Sequence, residues 1–287
     1  MRLTALLLAA FPSLALADTP LKVTASFSIL GDMVAQVAGD HAQITTIVGP
    51  DADAHVYTPN VADARAVAGA DLIFVNGLGF ETWSDTLIAN SGTTAPVFVA
   101  TQGITPLEVE GHIDPHAWNA IPNGITYIDN ITAALSQADP AHAEAYQANA
   151  NAYIAELTEL HEKALSEIAA LPKGNRVVVT AHDAFGYLAG AYGLTFLAPQ
   201  GIDTEAEPSA AALASLIEQI KTKEVAALFV ENITNPALVE QIGRETGLTI
   251  GGRLFSDALS ENGGPATSYY AMFSHNLTTI LAALNQD

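Results

Sequence analysis

Cysteine is absent from the sequence. Disulfide bonds are therefore excluded from the fold, and thiolate ligands are excluded from any metal site. Because a lipid anchor of the common bacterial type is built on a cysteine that follows an apolar leader, we also expect no membrane anchor.

Basic residues are scarce. The chain has 10 Lys and Arg against 31 Asp and Glu, which gives a formal net charge of −21. A surface of this kind repels the phosphate backbone of nucleic acids and attracts cations. Nucleic acid is therefore excluded as a partner. The acidity alone is equally typical of a protein that is merely very soluble, so it does not establish metal binding.

Long apolar runs are lacking beyond the first residues. Arg2 is followed by an apolar run from Leu3 to Leu14 and then by Ala15-Leu16-Ala17. The run is shorter than the roughly 20 residues that a membrane span needs. Because a positive start, a short apolar run and small residues before a cleavage point are typical of secretion signals, we predict a cleavable signal peptide over residues 1–17. The alternative is an N-terminal core helix, for which no capping residue is present.

The remainder of the chain alternates short β-rich runs with helical stretches. Such alternation predicts an α/β fold with parallel sheets. A long helix is predicted over 139–171, with Asp139 as its N-cap, Pro140 in its first turn and Pro172 after its end. Apolar residues recur along it in steps of three and four: Tyr146, Ala150, Tyr153, Leu157, Leu160, Ala164, Ile168 and Leu171. We expect it to join an N-terminal α/β lobe, 18–138, to a C-terminal lobe, 172–287. Residues 101–119 are predicted to form a loop.

Four residues with metal-binding side chains follow predicted strands or short loops. His55 comes after the strand that ends near Val48, His116 follows Asp114-Pro115, and His182 and Asp257 follow strands of the second half. In open α/β sheets, ligands bind beyond the carboxyl ends of the strands. Three imidazoles and one carboxylate suit a tetrahedral zinc ion. The spacing alone leaves the alternative that each histidine is simply hydrogen-bonded.

Several segments resemble one known family in sequence and in order. They are Gly-Pro-Asp-Ala-Asp-Ala-His-Val-Tyr at 49–57, Asp-Pro-His-Ala-Trp at 114–118, Ala-His-Asp-Ala-Phe-Gly-Tyr at 181–187, Glu-Pro-Ser at 207–209, Phe-Val-Glu at 229–231, and Asp257. Together they are similar to the zinc and manganese solute-binding proteins of ABC importers. The resemblance extends over essentially the whole chain after residue 17.

The resemblance implies a metal receptor and not an enzyme. It assigns His55, His116, His182 and Asp257 as the ligands of one Zn²⁺, carried as cargo to the permease of an ABC transporter in the periplasm. A histidine at position 182, where manganese-binding relatives usually have glutamate, favours zinc over Mn²⁺ by ligand softness. We expect a monomer, and a periplasmic metallochaperone remains open as a second partner. The alternatives are a manganese receptor of the same family and a zinc hydrolase with Glu231 as its base.

Other residues are expected to support the ligands. Asp183 and Glu231 are candidates to orient ligand imidazoles, since zinc-bound histidines usually donate their second ring N–H to a carboxylate. Trp118 is expected to pack the second ligand loop against its own lobe. His112 is interpreted as a solvated loop residue, and His41 is expected to have no companion donor nearby.

Overall fold

The computed structural model describes residues 19–172, 174 and 176–285. The predicted signal peptide, residues 1–17, lies outside the described residues. The strands are Leu21–Phe27 (β1), Ala42–Val48 (β2), Leu72–Val75 (β3), Val97–Val99 (β4), Leu107–Val109 (β5), His112–Asp114 (β6), Val177–Val179 (β7), Thr195–Leu197 (β8), Val225–Glu231 (β9) and Ile250–Leu254 (β10).

The helices alternate with these strands as the sequence predicted. They are Ser28–Ala38 (α1), Val61–Ala68 (α2), Ser84–Ser91 (α3), Ile121–Ala138 (α4), Ala143–Ala170 (α5), Gly186–Tyr192 (α6), Ala210–Thr222 (α7), Ala237–Thr246 (α8) and Tyr269–Leu284 (α9). Several of them begin at residues whose side chains cap the first turn. Asn60 caps α2 in a reciprocal arrangement with Asp63, and Ser268 caps α9.

Two parallel sheets of four strands form the two halves of the molecule. Their strand orders are β2-β1-β3-β4 and β10-β9-β7-β8. All pairings within them are parallel. Parallel strands need crossover connections, and the helices between them cover the faces of both sheets. The predicted α/β class is confirmed, and the carboxyl ends of the central strands provide positions for polar side chains.

The long helix α5 is slightly shorter than predicted. A 3₁₀ turn at Pro140–His142 precedes it, and the α-helix itself covers Ala143–Ala170, about 42 Å at 1.5 Å per residue. It packs against α1 and α4 of the first half and against α6 and α9 of the second. Its buried positions follow the predicted spacing of three and four: Tyr146, Ala150, Tyr153, Leu157, Leu160, Ala164 and Ile168.

The sequence prediction was wrong in the segment 101–119. In place of a continuous loop, β5 and β6 form a short antiparallel hairpin, with Glu110 and Gly111 at its tip and both residues at positive φ. Glycine adopts that backbone conformation readily, which permits the tight turn. Exposed strands of three residues carry too little apolar pattern to be recognised in sequence. The hairpin places His116 close behind β6.

The core is a large apolar cluster to which both sheets and α5 contribute, and a smaller cluster lies under α7 and α8. Among the described residues, no helix combines the length and the apolar character that crossing a bilayer requires.

Candidate metal centre

His55 lies in the loop that follows β2. The loop leaves the strand through Gly49-Pro50, and Asp51 has a positive φ of 51° at the turn. The Asp53 carboxylate then accepts the backbone N–H of His55 through Oδ1 at 2.9 Å. This short turn, in which an aspartate binds the amide two residues ahead, fixes the backbone from which the imidazole projects.

His116 uses the same local device directly after the hairpin. Asp114 Oδ1 accepts the backbone N–H of His116 at 2.9 Å and lies 2.8 Å from its ring Nδ1. The carboxylate therefore positions both the backbone and the ring. Because Nδ1 is directed at Asp114, Nε2 is the nitrogen left for a ligand.

His182 follows β7 and is held by Glu231 at the end of the neighbouring strand β9. Glu231 Oε1 accepts the backbone N–H groups of Ala181 and His182 at 2.8 and 2.9 Å. Its Oε2 lies 2.6 Å from His182 Nδ1, an ion-pair contact. Both residues are buried. As in His116, Nε2 is the ring nitrogen of His182 that is directed away from the supporting carboxylate, here that of Glu231.

Asp257 follows β10 and faces the three imidazoles. Its Oδ2 lies 3.1 Å from His182 Nε2 and 3.2 Å from His55 Nε2, and its Oδ1 lies 3.7 Å from His116 Nε2. The Nε2 atoms of His55 and His116 are 3.2 Å apart. One donor atom from each of the four residues lies within 4.8 Å of all the others.

These separations match those expected between the ligands of one metal ion. A tetrahedral zinc ion with bonds of about 2.0–2.1 Å places its donors about 3.3 Å apart. The structure therefore brings all four residues named from the sequence into one pocket, two from the first half of the chain and two from the second. No other such cluster of three or more His, Asp or Glu residues occurs in the described parts of the chain.

The pocket holds an excess of buried negative charge. Asp114, Asp257 and Glu231 are all at most 2% exposed. With neutral imidazoles, these carboxylates would carry three negative charges in a region of low dielectric constant, where uncompensated charge is costly. Protons on the histidines, or a cation between them, would compensate this charge.

The pKa shifts describe the first of these two states. Burial by itself would lower the pKa of His116, but the carboxylates of Asp257 and Asp114 outweigh it and raise that pKa to about 9. His182 behaves alike: burial opposes its protonation, yet Glu231 and Asp257 raise its pKa well above the usual range. Burial would raise the pKa of Asp257, but the two imidazoliums hold it well below its ordinary value.

His55 is the least enclosed of the four. It is 6% exposed, whereas His116, His182 and Asp257 are fully buried. A cavity of about 440 Å³ is lined by His55, Gly79, Pro115, residues 111–113 of the β5–β6 hairpin, and Ile202, Asp203 and Glu205 of the segment after β8. Of the four candidate ligands, His55 alone lines this cavity, so the pocket is accessible from the His55 side.

Three expectations about neighbouring residues need correction. Trp118 does more than pack within its own half, because its Nε1 donates to Ser256 O at 2.8 Å, beside Asp257. Asp183 lines a cavity next to the pocket, and its backbone N–H donates to Gly201 O; the orienting role falls to Glu231. His41 has a companion after all, since its ring stacks on that of His142 with centroids 4.0 Å apart.

Two supporting residues were missed at the sequence level. Asp114 and Asp53 each lie two positions before a candidate ligand, in Asp-Pro-His and Asp-Ala-His. The repeated Asp-x-His spacing was visible, but a carboxylate in a turn is usually solvated, so the spacing alone did not reveal the bonds. His112 is exposed, as expected, but it begins β6 and does not lie in a loop; it also lines the cavity beside His55.

Known proteins share both the sequence and the fold. The profile of the family described as "ZnuA: Zinc-uptake complex component A periplasmic" matches residues 23–283. The manganese-binding lipoprotein MntA of Halalkalibacterium halodurans is 33% identical over 267 residues, covering 93% of this chain and 89% of MntA. The iron ABC transporter substrate-binding lipoprotein MtsA of Streptococcus pyogenes is 35% identical over 275 residues, covering 92% and 89%.

A solved structure extends the similarity to three dimensions. The periplasmic zinc-binding protein TroA of Treponema pallidum superimposes with a TM-score of 0.89 at 30% identity, over 93% of this chain and 99% of TroA. The sequence match runs through both sheets, α5 and all four pocket residues. The chain therefore belongs to the ZnuA family, the periplasmic metal-binding receptors of ABC-type metal uptake.

Proposed function

We propose that this protein binds one Zn²⁺ through His55, His116, His182 and Asp257 and delivers it to the permease of an ABC transporter. The observation that carries the proposal is the convergence of three Nε2 atoms and one carboxylate within 4.8 Å in a buried pocket. Three nitrogen donors and one oxygen donor form a set that zinc accepts in tetrahedral geometry.

The choice of zinc rests on the type of ligand. Imidazole suits zinc, copper, iron and nickel, whereas manganese prefers carboxylate, carbonyl and water oxygens. The relatives are named for different metals: MntA for manganese, MtsA for iron and TroA for zinc. Manganese is therefore the second candidate cargo. The three nitrogen donors of this chain favour zinc over it.

A zinc hydrolase is the competing function from another class. Catalytic zinc keeps a position open for water and needs a general base nearby. Here all four donors surround the same point, and Glu231 is occupied by two backbone N–H groups and the His182 ring. This arrangement favours a closed shell that carries zinc as cargo. Hydrolytic turnover by the zinc-loaded protein that is lost in His182→Ala would support the enzyme instead.

Native mass spectrometry with elemental analysis tests the proposal. We expect one zinc per chain in protein purified from the periplasm, and no bound zinc in His116→Ala. Competition with Mn²⁺ under equal free concentrations distinguishes the two cargoes. A protein that retains manganese and no zinc would contradict the assignment of the metal, while binding of neither metal would contradict the site.

Delivery requires secretion and a membrane partner. MntA and MtsA are named as lipoproteins, whereas this sequence contains no cysteine. We therefore propose a periplasmic protein released by cleavage after Ala17, and the mass of the mature protein tests this directly. The permease is the proposed partner, and a metallochaperone would be needed only if free zinc fails to load the pocket.

A further inference from the structure

A surface segment connects the loop that carries His182 to the loop that carries His55. Residues 200–204, which we call the strap, lie between β8 and α7. One end of the strap is joined to the His182 loop, because Gln200 pairs with His182 in an isolated parallel bridge and Gly201 O accepts the N–H of Asp183 at 3.1 Å. This end is therefore anchored in the second half of the molecule.

The other end of the strap reaches the loop of His55. Thr204 Oγ1 donates to Asp53 Oδ2 at 2.6 Å, while Asp53 Oδ1 accepts the backbone N–H of His55. A hydrogen bond to a carboxylate is among the stronger ones in proteins. Hydrogen bonds through Asp53 therefore connect the strap, in the second half of the molecule, to His55 in the first half.

The strap also borders the cavity that His55 lines. Ile202 and Asp203 line both the cavity beside His55 and the neighbouring cavity of about 480 Å³ beside Asp183. Ile202 and Asp203 therefore lie between the two cavities, on the side of the pocket where His55 is partly exposed.

The His55 loop is held more firmly on its other side. Asp51 N donates to Leu259 O at 2.8 Å, and the Asp51 carboxylate accepts from Asn232 Nδ2 at 3.0 Å and from the Glu261 backbone at 3.2 Å. On the cavity side, among the described residues, a single side-chain hydrogen bond, Thr204 to Asp53, ties the loop to the strap. The loop should therefore open at Thr204 first.

We propose that Asp53 and Thr204 are positioning residues that control the rate of metal exchange: their hydrogen bond holds His55 in the pocket, and its opening admits or releases the ion along the strap. This inference rests on the proposed metal-binding function. Because the bond joins two protein groups and contacts no metal, breaking it accelerates both association and dissociation. The equilibrium affinity therefore changes less than either rate.

The test measures zinc transfer from the loaded protein to excess 4-(2-pyridylazo)resorcinol by stopped flow. Thr204→Val, which removes the hydroxyl donor, should release zinc about tenfold faster, the ratio expected for loss of one such bond. Thr204→Ser keeps the hydroxyl and should stay close to the wild-type rate. Glu207→Gln removes one negative charge at an exposed position in the same segment between β8 and α7. Its release rate should also match that of the wild type.

The outcomes separate this inference from the proposed function. Equal release rates in Thr204→Val and the wild type would overturn the inference, as would acceleration of the same size in Thr204→Ser or Glu207→Gln. Absence of stoichiometric zinc in the wild type would instead contradict the proposed function. A merely structural role for Thr204 would lower the melting temperature without changing the release rate, and it would likewise overturn the inference.

Hydrogen exchange of the loaded wild type gives a check that needs no variant. Peptides covering residues 50–57 and 198–206 should exchange with a common rate, faster than a peptide covering 114–119, where His116 is held by Asp114. Independent rates for the two segments would contradict their coupling through the Thr204–Asp53 bond.

Discussion

Glu231 holds His182 at two points, with Oε1 on the backbone N–H and Oε2 at 2.6 Å from ring Nδ1. A single carboxylate thus sets both the position of the main chain and the direction of Nε2. Because Glu231 lies at the end of β9, beside β7, the sheet itself determines where the third imidazole projects. The rigidity of the pocket in the second half depends on this pair.

Replacing Glu231 with glutamine should weaken zinc binding by about 10–100-fold, the range found for residues that orient metal-bound histidines. The amide keeps the shape of the side chain but removes the charge that favours proton donation by Nδ1. Competition with a chelator of known affinity measures the effect. Glu240→Gln, an exposed residue on α8, is the matched control. An unchanged affinity in Glu231→Gln would contradict the orienting role.

His182→Glu should lower the stability of the metal-free protein by about 3 kcal/mol, since it replaces an imidazole with a carboxylate between two buried carboxylates. The new side chain would lie beside Glu231 and Asp257, which His182 now separates. Urea unfolding without metal measures the loss. The double variant His182→Glu, Glu231→Gln removes one of the repelling charges and should recover part of it. No recovery would mean that the loss arises from packing.

Metal binding should release protons at neutral pH. The pKa of His116 is raised to about 9 and that of His182 well above its usual range, so without metal both rings hold protons at pH 7.5. A metal ion requires neutral imidazoles, so affinity falls as pH falls throughout the range below about 9. Calorimetric titration at pH 7.5 in buffers of different ionisation enthalpy should show release of about two protons per ion. Heats independent of the buffer would contradict this.

Trp118→Phe should destabilise the protein by roughly 1–3 kcal/mol, because it leaves the buried carbonyl of Ser256 without its donor. Trp83→Phe is the comparison, since Trp83 Nε1 also donates to a backbone carbonyl, that of Ala54, at a partly buried site. We expect Trp83→Phe to lose less stability than Trp118→Phe, because water can replace the lost donor at the partly buried site. Denaturant unfolding of the metal-free proteins compares the two, and equal losses would argue against burial as the cause.

Metal release should change the overall dimensions very little. Helix α5 packs against helices of both halves, which opposes a wide hinge motion and leaves local loop motion as the way to open the pocket. Small-angle scattering of metal-free and zinc-loaded protein tests this expectation. A large change in radius of gyration would contradict it.

The sequence was most informative where a pattern had a fixed period or a rigid residue. The apolar spacing of α5 predicted its buried face residue by residue, from Tyr146 to Ile168, because tertiary packing agrees with the helical period. The four pocket residues were named because each follows a strand or a stiff loop. Their convergence depends on how two sheets face each other, which the resemblance to the family supplied and local pattern did not.

The missed features depend on contacts between distant segments. The β5–β6 hairpin is too short and exposed for its pairing to leave a periodic signal. The bond from Thr204 to Asp53 joins positions 151 residues apart. The Trp118 bond to Ser256 spans 138 residues. Hydrogen bonds of this kind are set by tertiary geometry, so a single sequence offers no local pattern from which to infer them.

The shared core around α5 has a consequence for how the chain folds after export. The buried face of the helix is covered partly by α1 and α4, which precede it, and partly by α6 and α9, which follow it. Until α9 packs against α5, side chains on the buried face of α5, such as Leu157 and Leu160, are not fully buried. A chain truncated before α9 should therefore be retained by chaperones or degraded, and the two halves should not be separable as independently folding modules.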